Sequence, residues 1–172
     1  CTFDVTVNDT EAPNAVCTDI TVQLDASGAA SITAQDVDGG STDNCGVAGI
    51  SIDNGSFGCG DIGNNTVTLT VTDVNGNSST CTANVTVEDT IAPTVTCPAH
   101  LVVDCAADVP PVDVNTVTVS DNCSNTTVTH VNDVDNMGAG CSGDPLVITR
   151  TYSITDAAGN VTICTQFINV ED

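Results

Sequence analysis

The chain is 172 residues long and sets 23 carboxylates against a single base, Arg150, for a formal net charge of −22. With nothing to neutralise phosphates, nucleic acid is excluded as a partner, and no apolar run approaches the about 18 residues that a membrane span needs. Ten cysteines in a chain with no Trp, one Tyr and three Phe point to an oxidising, extracellular compartment and to small cores that need staples.

Along the chain the predicted elements are short and β-like. Residues 1–8 read as the last strand of a preceding repeat whose body is absent. Ile20-Thr-Val-Gln-Leu24 alternates as a half-buried strand does, and turns follow at Asp25-Ala-Ser-Gly28 and Asp38-Gly-Gly40. Asp53-Asn-Gly55 predicts a tight hairpin. Val67-Thr-Leu-Thr-Val71 and Val85-Thr-Val87 predict strands on either side of the Asn75-Gly-Asn77 turn. Val117-Thr-Val119 and Leu146–Ile154 follow, and Ala158-Gly-Asn160 is the last turn. No window shows a capped helical stripe, and Val, Ile and Thr carry the apolar pattern. The reading is all-β, an immunoglobulin-like β-sandwich.

The chain also repeats itself. Cys81-Thr-Ala-Asn-Val-Thr-Val-Glu-Asp89 returns as Cys164-Thr-Gln-Phe-Ile-Asn-Val-Glu-Asp172, and a third version opens the chain at Cys1–Asp9. The junction Asp9-Thr-Glu-Ala-Pro13 before Cys17 matches Asp89-Thr-Ile-Ala-Pro93 before Cys97. Asp43-Asn44-Cys45 is echoed by Asp121-Asn122-Cys123, and Thr72-Asp73-Val-Asn-Gly-Asn77 by Thr155-Asp156-Ala-Ala-Gly-Asn160. A spacing of about 80 residues makes each repeat a small domain rather than a solenoid turn. The expected organisation is tandem, with domains at 9–88 and 89–172. Cys45 and Cys59 flank Asp53-Asn-Gly55 almost symmetrically, which predicts a Cys45–Cys59 bridge across that hairpin. Cys123 and Cys141 flank Val131-Asn-Asp-Val-Asp-Asn136 in the same way, predicting Cys123–Cys141.

The Asp-Thr-x-Ala-Pro junction, the Cys after it, the Asp-Asn-Cys loop and the Thr-Asp-x-x-Gly-Asn-x-x-x-Cys ending together resemble the hyalin-repeat (HYR) family. The likeness is to the Cys-rich modules arrayed in long secreted and surface proteins of Bacteroidetes-type bacteria, and it covers both repeats. The resemblance implies a disulfide-stapled sandwich used in extracellular adhesion or stalk-like arrays, usually without enzymatic activity. It implies the bridges Cys17–Cys81 and Cys97–Cys164, tying first strand to last. Cys1 matches Cys81 and Cys164, so its partner is expected in the absent body and it stays unpaired here. Six-Cys members carry their extra cysteine where this chain has Ala158, which leaves Cys105 a thiol without a mate. A cross-link from Cys105 to another chain is the alternative.

In a sandwich of this topology the entry segment, the B–C loop and the F–G loop meet at one end. The repeated acids fall on those segments. They are Asp9, Asp43, Asn44, Asp73, Asn75 and Asn77 in the first repeat, and Asp89, Asp121, Asn122, Asp156 and Asn160 in the second. Carboxylates, amides and carbonyls converging from irregular loops suit Ca2+, which would stiffen the junction between repeats. The alternative is that these residues only hydrogen-bond their own turns and that the remaining acids are a solubility coat. His100 and His130 lie near no nucleophile motif, and so small a fold with few aromatics offers no obvious cleft, so no catalysis is expected. The expected function is a structural segment of an extracellular fibre, stalk or adhesin, with neighbouring repeats or identical subunits as partners. A glycan- or protein-binding surface module is the alternative.

Overall fold

A computed structural model describes residues 1–140 and 143–171. The chain separates into two compact units, Cys1–Asp89 and Thr90–Asp172. In the first, the elements run β1 (Ile20–Gln23), β2 (Ala29–Ser31), α1 (Ala34–Val37), β3 (Val47–Ile52), β4 (Ser56–Gly58), β5 (Gly63–Asp73) and β6 (Ser78–Glu88). The main sheet has the order β1-β6-β5-β3, and β2 pairs with β4 in a small second sheet. β5 and β6 form the central hairpin, with Val67 opposite Ala83 and Leu69 opposite Cys81. Strand side chains alternate between faces, so Val67, Leu69, Val71, Ala83, Val85 and Val87 are buried while Thr68, Thr70 and Thr72 stay half-buried. Each of these Val and Leu side chains contributes about 1.5–3 kcal/mol. Leu24, Ile32, Val37 and Phe57 join the buried hydrophobic core of this unit. The single turn of α1 is started by Asp36, whose carboxylate accepts the Thr33 N–H at 2.6 Å and its hydroxyl at 2.8 Å.

The second unit comprises β7 (Thr94–Thr96), β8 (Leu101–Val103), β9 (Thr118–Ser120), β10 (Thr126–Asp135), β11 (Leu146–Asp156) and β12 (Val161–Val170). Its main sheet, β10-β11-β12-β8, has the connectivity of the first sheet read in reverse. β8 lies parallel to β12 as β1 lies parallel to β6, and Tyr152 faces Cys164 where Leu69 faces Cys81. Val117, Tyr152, Ile154 and Cys164 form a buried cluster. Disulfides join Cys17 to Cys81 and Cys97 to Cys164, with Cα separations of 5.8 and 5.7 Å. In each unit the bridge runs from the segment ahead of the first strand of the main sheet to the last strand.

Residues 1–8 pair with no strand of this chain, and Phe3, Val5 and Val7 are exposed. Without a neighbour, a lone extended segment has no ladder to join. Two expectations need correction. The Cys45–Cys59 bridge is not formed, because Cys45 is a free, exposed thiol. The physical reason is that Asp53-Asn-Gly55 turns a corner between sheets: β3 pairs with β5, whereas β4 pairs with β2. Gly55 is not among the glycines with positive φ, which a two-residue hairpin of the Asn-Gly type requires. It is glycine because a Cβ there would meet the Ile32 carbonyl oxygen at 2.8 Å. Lastly, 131–135 continues β10 rather than turning, with a register shift between His130 and Asn132. Cys141 lies outside the described residues, so the Cys123–Cys141 expectation does too. Cys1 and Cys105 are free and exposed.

Candidate metal centre

The first unit ends β5 on Asp73, and a four-residue connection, Val74-Asn75-Gly76-Asn77, returns the chain into β6. The Asp73 N–H bonds the Asn77 carbonyl at 3.0 Å, and Gly76 supplies the positive φ of 93° that this loop requires. Asp73 is 2% exposed. Its Oδ1 accepts the Asn75 and Asn77 amides, both at 2.8 Å, and its Oδ2 accepts the Asn77 side chain at 2.7 Å. Burial pushes the Asp73 carboxyl up, but the Asn77 side chain and the Asn77, Asn75 and Gly76 amides outweigh it and hold the group below the usual range. Asp73 is therefore ionised at neutral pH.

Asp9 and Asp43 approach from the entry segment and the loop before β3. Asp9 Oδ1 accepts the Glu11 N–H at 3.1 Å, and Asp43 Oδ2 accepts the Cys45 and Gly46 amides at 2.7 and 3.0 Å. In each case one oxygen is spent on the local turn. The other, Asp9 Oδ2 or Asp43 Oδ1, is buried with no hydrogen-bond partner. Ligand oxygens of Asp9, Asp43 and Asp73 all lie within 4.8 Å of one another. At that distance two carboxylates repel by about 3 kcal/mol at a protein-surface dielectric, and a buried, unpaired anionic oxygen adds a desolvation penalty. No Lys, Arg or His occurs anywhere before His100, so no side-chain cation of this unit can offset either term. A hydrogen bond to Asp9, then burial, then the negative charges of Asp9, Asp43 and Asp73 push the Cys45 thiol up.

The second unit rebuilds the same parts. Asp156 closes β11, its Oδ1 accepting the Gly159 and Asn160 amides at 2.7 and 2.8 Å and its Oδ2 the Asn160 side chain at 2.8 Å. Burial again opposes and the Asn160, Gly159 and Ala158 donors prevail, so its carboxyl too sits below the usual range. Asp121 Oδ2 accepts the Cys123 amide at 2.9 Å, and its Oδ1 is buried without a partner. Oxygens of Asp121 and Asp156, both within this unit, lie within 4.8 Å of each other.

The amide residues have other work. The Asn77 side chain bridges Asp73 and the Asp9 carbonyl, the latter at 3.2 Å, and the Asn44 side chain donates to Glu11 at 2.8 Å. Asn75 contributes its backbone N–H, Asn122 sits beside Asp121 in the loop ahead of β10, and Asn160 repeats the Asn77 role. They frame the carboxylates. Other acids do follow the turn-only pattern: Asp25, Asp36 and Asp38 each accept local hydroxyl or amide donors that lower their carboxyls. Glu11 was not singled out in the sequence; its place two residues after Asp9 on the junction is the signal that could have found it.

Two further features escaped the sequence reading. Arg150 is 4% exposed and is held by the Asp133 carboxylate at 2.9–3.1 Å and by the Pro110 carbonyl at 3.1 Å. The Arg150 hydrogen bonds come first, burial opposes, and His130 at 2.8 Å assists in holding Asp133 below the usual range. Beside Arg150, within the second unit, opens a cleft of about 490 Å³.

No known family pattern and no curated protein matches the chain. Among solved structures, a protocadherin gamma C5 EC1-3 fragment is 14% identical at a TM-score of 0.40, the match covering 94% of this chain and 68% of that one. The protocadherin gamma B4 extracellular domain is 13% identical at a TM-score of 0.39, covering 93% of this chain and 32% of that one. An endo-fucoidan hydrolase of glycoside hydrolase family 107 is 14% identical at a TM-score of 0.29, covering 92% and 34%. Likenesses this distant say nothing of what this chain binds.

Proposed function

We propose that the chain is a structural segment of an extracellular fibre, stalk or adhesin, stapled by disulfides and stiffened by Ca2+ at its acidic loop clusters. The observation that carries the reading is the pair of buried, unpartnered oxygens on Asp9 and Asp43, aimed at Asp73 in a unit without a basic side chain. Turn chemistry accounts for one oxygen of each residue and leaves the other stranded. A divalent cation offsets both the repulsion and the desolvation. Calcium suits an all-oxygen, irregular set of about six to eight donors better than magnesium, which demands a near-ideal octahedron. The disulfides fit an oxidising exterior, and no helix among the described residues is long and apolar enough to cross a membrane.

The test is a thermal melt under non-reducing conditions in calcium, in magnesium and in chelator. Calcium at about a hundredfold over its dissociation constant adds about 2.7 kcal/mol per site, a rise on the order of 10 °C for a unit of this size. Asp43→Asn keeps the turn-accepting oxygen and removes one cation ligand. It should abolish most of the calcium shift of its own unit without lowering the melt in chelator. Superimposable calcium and chelator melts would sink the reading and return these acids to turn-holding.

A further inference from the structure

The inward face of the second unit departs from its own pattern at one place. Register equates Arg150 and Gln166, a directly opposed pair on β11 and β12, with Val67 and Ala83, the opposed pair on β5 and β6. Val67 and Ala83 are 0% and 1% exposed, while Arg150 and Gln166 are 4% and 6% exposed. A guanidinium and a carboxamide thus occupy two core positions that the other unit fills with hydrocarbon. Such a replacement is unfavourable unless every polar atom is satisfied.

The polar pair does not sit in a closed core. It lines the cleft of about 490 Å³, whose other walls include Pro98, Pro110, Pro111 and Leu101. Both side chains are fixed in advance: Arg150 by Asp133 and Pro110, and Gln166 by a 2.8 Å bond from its Nε2 to the Ala99 carbonyl. A concave, largely apolar cavity of this size with a few pre-positioned polar groups is the usual form of a small-ligand site.

We propose that this cleft binds one neutral sugar residue, free or at the end of a glycan. The charge pattern selects neutrality. Arg150 is already matched by Asp133, and Asp113 lines the same cleft, so an anionic ligand finds no unbalanced positive charge in a chain of net −22. A cation would face the guanidinium. A purely apolar ligand would strip water from Arg150 and Gln166 and return no hydrogen bond. A pyranose supplies both halves of the match, with C–H faces against the proline rings and hydroxyls that donate and accept.

Tyr152, the only tyrosine in a chain without tryptophan, lies on the cleft wall, so its emission reports occupancy directly. The experiment titrates the intact chain with glucose, galactose, mannose, fucose, N-acetylglucosamine and their common neutral disaccharides, beside glucuronic acid and a proline-rich peptide. The expected result is a saturable change in tyrosine emission with at least one neutral sugar, insensitive to salt. It should weaken by about tenfold in Gln166→Ala, the residue the first unit carries at this register, since that change removes a single buried polar partner. The Gln166→Ala melt confirms that the unit remains folded. No saturable response to any neutral sugar, stronger binding of glucuronic acid or the peptide, or unchanged affinity in Gln166→Ala would each overturn the proposal. Calcium dependence of the melt is read separately, so failure of one reading leaves the other standing.

Discussion

The two units share one sheet order and differ in what they place at the same inward registers. The first uses Val67 and Ala83, and closes its second sheet with the short helix α1 and the β2–β4 pair. The second uses Arg150 and Gln166, and in place of α1 has 3-10 turns at Ala106–Asp108 and Val114–Thr116 on either side of Pro110 and Pro111. The two differences belong together. Proline lacks an N–H and fixes φ, so that segment cannot supply a strand or helix to seal the sheet. Its Pro110 carbonyl is instead satisfied by Arg150. The lesson is that a small sandwich accepts a charge at a core register when the strand beside it brings the counter-ion and the overlying loop brings an orphan carbonyl.

The most disruptive challenge to this comparison is the covalent one. The bridges span sequence separations of 64 and 67 residues, so the loop-closure model assigns each about 4 kcal/mol. Cys81→Ser and Cys164→Ser should therefore lower the urea midpoints of their own units by similar amounts. A loss confined to one unit would show that the two are not stapled alike.

A smaller effect separates the cores. Asp133→Ala leaves a buried guanidinium without its carboxylate partner and should cost the second unit about 3 kcal/mol. The double change Arg150→Val with Gln166→Ala copies the first unit's inward pair and removes the buried guanidinium, leaving the part-exposed Asp133 carboxylate to solvent and His130, so its unfolding free energy should stay within about 1 kcal/mol of the parent. If the double variant were as damaged as Asp133→Ala, the polar pair would be a structural necessity rather than a departure the fold tolerates.

The smallest and most uniform effect is acid. Asp73 and Asp156 have carboxyls lowered in the folded chain. A lowered folded value means stabilisation that is fully present above the unfolded value of about 3.9 and is lost as pH falls through the folded one. Urea midpoints measured in chelator from neutral pH downward should hold until about pH 4 and then fall in both units together. A midpoint that rises through this window in either unit would show that relief of carboxylate repulsion outweighs the turn bonds there.

The sequence made the long hairpins legible because both their strands and their turns are local. Asp73-Val-Asn-Gly-Asn77 and Asp156-Ala-Ala-Gly-Asn160 encode their own loop geometry, and the Val–Thr alternation encodes which face is inward. The carboxylates that cluster were likewise readable, since each sits on a repeated motif at a strand end. The Cys45–Cys59 expectation failed where a local turn signal was asked to decide a non-local pairing. Asn54-Gly55 looks like a hairpin until β5 takes the edge of β3, and the Asp53 carboxylate, accepting the Thr68 amide at 2.9 Å, anchors that corner to β5. Arg150 stood in the sequence only as the single base, because nothing in a one-dimensional pattern shows Asp133 standing across from it on β10.

The buried position of that one arginine also governs how the chain meets trypsin-like proteases. They cut after Lys or Arg, and the whole sequence offers a single such bond, after Arg150. It lies in the middle of β11, hydrogen-bonded to strands on both sides, and cannot enter a protease cleft as an extended substrate until the second unit opens. Even a completed cut would leave the pieces tethered, since Cys97 and Cys164 lie on opposite sides of it. For a polypeptide exposed to secreted digestive enzymes, near-absence of basic residues is a form of armour, and the one exception is stored where those enzymes reach it last.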